Sequence, residues 1–227
     1  MNRRIAVLIS GRGTNLQSII DATASGALNA TIAVVVSNRA DAHGLTRARD
    51  AGIEALHLSP REHPNRDAYD LAIVAALRSR DVHLVCLAGF MRLVGRPLLD
   101  AFPERILNIH PSLLPSFRGL EAQRQALDHG VRISGATVHL VTSDLDDGPI
   151  VLQAAVRVQD DDTVETLSAR ILLAEHAVLP TVLQWFGEGR VRRSGRRVWL
   201  EPRASTQPAA GSRQSTGEAA GRHGTEE

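Results

Sequence analysis

The rhythm of the first half of the chain constrains its fold more than any other feature. Short, nearly continuous apolar runs occur at Arg4–Ser10 (RIAVLIS), Thr31–Ser37 (TIAVVVS), Ile53–Leu58, Val82–Ala88 (VHLVCLA) and Arg105–Ile109 (RILNI). A strand that is apolar at successive positions is covered on both faces, which is the situation in a parallel sheet. Between the runs lie stretches with helical spacing. Thr14–Thr23 places Leu16, Ile19 and Ile20 together, Ala42–Ala51 is a short helix closed by Gly52, and Arg66–Ser79 sets Leu71, Val74 and Leu77 on one face. This alternation predicts an α/β fold: a mainly parallel, twisted sheet flanked by helices on both faces.

The pattern changes after residue 132. Ile133–Val141 and Pro149–Val158 read as two strands joined by a short acidic loop, an antiparallel hairpin added to the sheet in the C-terminal half. A long helix follows over Thr163–Phe186, with Asp162 and Glu165 as an N-terminal capping pair. Its stripe is Val164, Leu167, Ile171, Leu172, Val178 and Leu179, with Pro180 expected to kink it and Gly187 to end it. Val191–Leu200 reads as a last hairpin. One domain therefore spans residues 1–202. Residues 203–227 (RASTQPAAGSRQSTGEAAGRHGTEE) lack large aliphatics and read as a low-complexity, disordered tail.

Charge and composition exclude several functions. The 26 basic residues are all Arg and nearly cancel 25 acidic ones, leaving +1 and no case for a nucleic-acid partner. Without Lys there is neither a Schiff-base lysine nor a Walker phosphate loop. A single Cys rules out a disulfide framework. The first apolar run is too short for a signal-peptide core, and no apolar span is long enough for a membrane helix. The expectation is a cytoplasmic protein.

Three segments could carry chemistry. The loop Ser10–Leu16 lies between the first strand and first helix, where a helix N-terminus and glycines suit an anion; the alternative is a tight turn into a capped helix. A dinucleotide fingerprint fails, because Leu16 replaces the third glycine and Ser37-Asn38 stand where a ribose-binding acid belongs, with Asp41 past the strand end. In the second segment, Asn108 and His110 alternate onto one strand face; they form either an oxyanion donor beside a proton-carrying imidazole or a hydrogen-bonded core pair. The third, Asp144–Pro149, is a turn without calcium-loop spacing, and its carboxylates could raise the His110 pKa and hold the ring charged or correctly oriented. Cys86 reads as a packing residue, His139 either approaches the site from the hairpin strand or packs in the core or at the rim, with packing favoured, and no metal-ligand spacing is present.

Taken in order, VLISGRGTNLQSII, VVSNRADAHGLTRA, LAGFMRLV, ILNIHPSLLPSF, GATVHLVTSDLDDGPIVLQ and AEHAVLP resemble the phosphoribosylglycinamide formyltransferases, folate-dependent enzymes of purine synthesis. The resemblance covers Ile5 to about Leu200. It implies a Rossmann-like formyltransferase fold and transfer of a formyl group from 10-formyltetrahydrofolate, a co-substrate, to the amine of phosphoribosylglycinamide, with no metal. Asn108, His110 and Asp146 match the catalytic trio, with charged His110 and Asn108 stabilising the oxyanion. Gly13, Thr14 and Asn15 match the phosphate loop, and Glu175 a substrate contact. Met91, Arg92, Leu93 and Val94 match the pterin wall. Arg66, Asn108, Thr142, Ser143, Asp144, Leu145 and Asp146 also fall on the folate side. The partners implied are small molecules, with a homodimer left open.

Two departures stand out. Asp147 replaces a second glycine common in the family, and Ser116–Gly119 with Glu121 differ enough that no substrate contact transfers to them. The rivals are a transferase that formylates methionyl-tRNA, which needs an RNA-facing domain, a formylfolate deformylase, and a non-catalytic folate- or phosphate-binding module. Intact Asn108, His110 and Asp146 argue against the last.

Overall fold

The computed structural model describes residues 3–203. Its elements are β1 (Arg3–Ile9), α1 (Thr14–Ala24), β2 (Ala30–Ser37), α2 (His43–Asp50), β3 (Ala55–His57), α3 (Arg66–Arg78), β4 (Leu84–Leu87), α4 (Arg96–Ala101), β5 (Ile106–His110), α5 (Ala122–Asp128), β6 (Ile133–Leu140), β7 (Ile150–Arg157), α6 (Val164–Gly187), β8 (Val191–Ser194) and β9 (Arg197–Leu200). Seven strands form one sheet in the order β3-β2-β1-β4-β5-β6-β7. The first five are parallel, and β6 pairs antiparallel with both β5 and β7. The strands β8 and β9 pair separately.

The central strands are apolar throughout because each face has its own core. Along β1, Ile5, Val7 and Ile9 pack with Leu16 and Ile19 of α1 and Leu179 of α6. Ala6 and Leu8 point the other way, toward Tyr69, Ile73 and Leu77 of α3 and Leu98 of α4. Each large aliphatic buried in this way contributes about 1.5–3 kcal/mol against exposure. By length and composition α6 could cross a membrane. Here its Leu167, Ile171, Val178, Leu179, Val182 and Leu183 are buried, and it packs on β6, β7 and α1.

The structure corrects several details. Leu71 is 57% exposed, and the buried face of α3 is Tyr69, Asp70, Ile73, Val74 and Leu77. The N-cap of α6 is Thr163, boxed with Thr166, rather than Asp162 with Glu165. The Asp162 carboxylate instead accepts from the Gln159 amide and the Thr166 hydroxyl. Val164 and Leu172 are only half-buried. The sequence pattern gave no sign of α4 or α5, which are 6 and 7 residues long, too short to display a periodic face. The expected tail lies outside the described residues except for Arg203, which pairs with Glu188 at 2.7 Å.

Candidate active site

The site forms at the carboxyl ends of β4 and β5, where the sheet changes from parallel to antiparallel pairing. Strand register places Asn108 opposite His139 and His110 opposite Thr137. The segment after β6 folds back across the strand end. It can do so only because residue 148 is glycine: a Cβ there would lie 1.6 Å from the Leu140 carbonyl oxygen. The preceding Asp146 has a left-handed backbone, φ 48°, and its side chain is only 8% exposed.

Four groups surround the Asp146 carboxylate. His110 Nδ1 is 3.4 Å from Oδ2, and His139 Nε2 is 3.6 Å from Oδ1. Asn108 Nδ2 approaches Oδ1 at 3.4 Å, and the Gly119 amide donates to Oδ2 at 2.9 Å. His110 Nε2 donates to the Phe117 carbonyl at 2.8 Å; a carbonyl can only accept, so this nitrogen carries the proton. His139 Nδ1 faces the Leu140 carbonyl at 2.9 Å, and its Nε2 also lies 3.1 Å from Asn108 Nδ2. That nitrogen can accept from the amide when the ring is neutral and donate to Asp146 when it is charged.

Burial decides the resting charges. It pushes the His110 pKa down, more strongly than the Phe117 carbonyl and Asp146 push it up, and His139 adds to the lowering. The net value lies below 6.5, so the resting imidazole is neutral at neutral pH, contrary to the expectation that Asp146 holds it charged. Burial also works to raise Asp146, but His139, the Gly119 amide and His110 outweigh it and keep the carboxyl below its ordinary value. The resting site is thus a carboxylate backed by a neutral histidine.

Beside this cluster opens a small cleft, with Leu87, Phe90, Leu93, Val94, Val141 and Leu145 as apolar lining and Arg92, Asn108, His139, Thr142, Ser143, Asp144 and Asp146 as polar lining. His110 is not on this wall; it is buried behind Asp146. Arg66 lines an adjoining depression that shares Leu93, Val94, Val141, Thr142 and Ser143 with the cleft. Met91 does not line the cleft. It is 65% exposed and borders a separate crevice over the ends of β1 to β3, while its amide donates to Ser10 Oγ. The wall is anchored from α3: buried Asp70 accepts from the Gly95 amide at 2.6 Å, and the Arg92 guanidinium lies over the Tyr69 ring.

The first-loop residues and Glu175 gather separately. Asn15, in the first turn of α1, donates to Glu175 of α6 at 2.8 Å, across 160 residues. Burial raises the Glu175 pKa against the opposing pull of Asn15. Thr14 opens α1, whose N-cap Gly13 supplies no side-chain hydrogen bond, so its first amides face outward without a capping group. Gly13 is needed for packing: its φ is +71°, and a Cβ would meet Gly44 Cα at 2.6 Å. Among the described residues no hydrogen bond joins Asn15 or Glu175 to the Asp146 cluster, and no group of three His, Cys, Asp or Glu is arranged to hold a metal.

Sequence reasoning missed three participants. For His139 packing is the favoured reading of the sequence, yet it lies on the cleft wall, the less favoured of the two readings; the signal is a polar Thr137 and His139 pair on one face of the strand. Phe117 and Gly119 act through backbone atoms and carry no side-chain signal.

Comparisons with known proteins bear out the fold. A solved structure of glycinamide ribonucleotide transformylase 1 from Symbiobacterium toebii superposes with a TM-score of 0.87 at 58% identity, covering 88% of this chain and 94% of that one. The phosphoribosylglycinamide formyltransferase of Escherichia coli is 44% identical over 197 residues, covering 87% of this chain and 93% of the relative. The trifunctional purine biosynthetic protein adenosine-3 of Bos taurus is 48% identical over 199 residues, and this chain spans only 20% of its length. Residues 3–183 match the model of the formyl transferase family, and the chain belongs to that family.

Proposed function

We propose that this chain transfers the formyl group of 10-formyltetrahydrofolate to the amine of 5′-phosphoribosylglycinamide, a step of purine biosynthesis. The observation that carries the reading is the Asp146 carboxylate, which lines the cleft and is in contact with Asn108, His110 and His139. The cleft residues fit a flat heterocycle: aliphatic and aromatic side chains supply stacking surface, and the 142–146 segment supplies edge hydrogen bonds. Arg66 and Arg92 suit the carboxylate end of such a molecule. The co-substrate supplies an electrophilic formyl carbon.

The chain's own residues would then divide the work. The uncapped amides of Gly13, Thr14 and Asn15 hold the substrate phosphate, and Glu175 accepts from its amine or ribose. Asn108 Nδ2, on the cleft wall, donates to the oxygen that gains charge, a contribution of about 3 kcal/mol. Asp146 receives the proton released by the attacking amine. Neutral His110 takes it at Nδ1, and the imidazolium so formed is stabilised by the same carboxylate. As the bond between the formyl carbon and the co-substrate nitrogen breaks, the proton returns through Asp146 to that leaving nitrogen. His110 therefore acts through Asp146 from behind. Holding both substrates across one site supplies a further share of the rate.

The catalytic unit is residues 1–202. We infer a cytoplasmic enzyme of small molecules, acting without metal, membrane or nucleic acid, with a homodimer as the assembly to test. The deciding experiment is a spectrophotometric assay with both substrates. Formyl transfer that requires phosphoribosylglycinamide supports the reading. Formate release without the amine would favour a deformylase, and binding without turnover a non-catalytic module.

A further inference from the structure

The structure gives the Asp147 carboxylate two arginine partners. Arg118, in the turn after β5, makes an ion pair with it. Arg196, in the turn between β8 and β9, donates to Oδ2 at 2.9 Å and to the Asp147 carbonyl at 2.7 Å. The Asp147 side chain is 24% exposed, and its partners Arg118 and Arg196 are 42% and 65% exposed, so solvent screens both pairs.

These contacts continue those of Asp146. The Phe117 carbonyl meets His110, Arg118 meets Asp147, and the Gly119 amide meets Asp146. Three consecutive residues of one turn are thus fastened to the catalytic cluster. Phe117, Gly119 and Asp146 have φ values of 56°, 78° and 48°. For Phe117 and Asp146, which carry a Cβ, that backbone is costly and persists only where surrounding contacts hold it.

We propose that Asp147 is a positioning residue for formyl transfer: its pairs with Arg118 and Arg196 hold the 117–119 turn and the C-terminal hairpin against the loop that presents Asp146. The role rests on the functional reading above. With glycine at 147 the loop would lose both side-chain ion pairs and gain backbone freedom. Here an ionic clamp does that work. Arg196 first, then Arg118, keeps the Asp147 carboxyl below its ordinary value, so the clamp stays charged at neutral pH and salt is the means of loosening it.

The test uses the full chain with Asp147→Ala, Asp147→Glu, Arg118→Ala and the double variant Asp147→Ala/Arg118→Ala. With both substrates saturating, Asp147→Ala lowers kcat about 3- to 10-fold, the size of two partly exposed ion pairs. KM for the amine substrate stays within about twofold, since this clamp touches no substrate. Asp147→Glu recovers most of the rate, and the double variant matches Asp147→Ala because one partner is already gone. Raising salt to about 1 M slows the wild type toward the Asp147→Ala rate and leaves that variant unchanged. Hydrogen exchange at the Gly119 amide quickens in Asp147→Ala. Unchanged kcat in Asp147→Ala, or additive effects in the double variant, overturns the positioning role, whatever the exchange shows. If the wild type transfers no formyl group, the functional reading has failed, and exchange alone decides the clamp: an unchanged Gly119 amide overturns it.

Discussion

Replacing Asp146 by Asn keeps the shape of the site and removes its charge. In the resting protein His110 is neutral, so the main losses are one favourable contact to the Gly119 amide or one to Asn108, whichever the new amide group faces. Such a loss costs about 1–3 kcal/mol of stability, a drop in Tm of roughly 2–12 °C in a chain of this size. In the transition state the balance differs, because His110 then carries a proton. Opposite charges 3.4 Å apart attract by about 5 kcal/mol at an effective dielectric of 20. Both side chains are over nine-tenths buried, so solvent relieves little of that. Since each 1.36 kcal/mol is tenfold, kcat should fall roughly 10³- to 10⁴-fold with both KM values within about threefold. Steady-state kinetics with each substrate varied in turn, beside a thermal melt, tests this. A loss of kcat under tenfold, or one expressed wholly in KM, refutes the assignment of a transition-state charge to His110.

Glu175→Gln keeps the acceptor for Asn15 and removes a buried charge. KM for the amine substrate should rise about 10- to 100-fold, the worth of a charge-assisted hydrogen bond, with the folate KM unmoved; a change under twofold in the former counts against the contact. Burial raises the folded Glu175 pKa, so its contribution to stability is full below 4.5 and is lost as pH rises through the folded value. The Gln variant should therefore gain on the wild type in Tm as pH rises over that range, and a constant difference would contradict it. His110 has the opposite dependence. Its folded pKa is below 6.5, so stability is full above 6.5 and declines as pH falls toward the folded value. Melts of wild type and His110→Asn from about pH 8 to about pH 5 should show a shallower decline in the variant, and parallel curves refute this. Gly148→Ala puts a Cβ 1.6 Å from the Leu140 oxygen, a backbone atom of β6 that cannot yield cheaply. It should cost about 3 kcal/mol or more in denaturant unfolding, and a loss under about 1 kcal/mol would mean that the loop has another path.

What was legible in the sequence was what side chains announce. The runs RIAVLIS and TIAVVVS identify buried parallel strands because both of their faces meet helices. Alternation along β5 put Asn108 and His110 on one face without any coordinates. The misassignment of Leu71 has a physical cause: the true face of α3 includes Asp70, a carboxylate that an apolar count penalises but that the fold uses to hold Gly95. The charge on His110 was misjudged for a related reason. Sequence can bring a carboxylate near an imidazole, yet burial, which here outweighs it, exists only once both cores are assembled.

The contacts that were not legible share one property. The Phe117 carbonyl against His110, the Gly119 amide on Asp146 and the Gly95 amide on Asp70 are all supplied by the main chain, which every residue possesses. Their specificity lies in backbone angles, and two of those three residues sit in or next to left-handed conformations held by their neighbours. Truncating the Phe117 side chain would therefore leave its carbonyl in place, and an alanine scan of this turn would understate its part in the site. Asp147 is the exception that makes the turn accessible to mutation, because there the tie between the two loops is made by side chains. Changes at 118, 147 and 196 thus probe a geometry that changes at 117 and 119 cannot, short of altering the backbone itself.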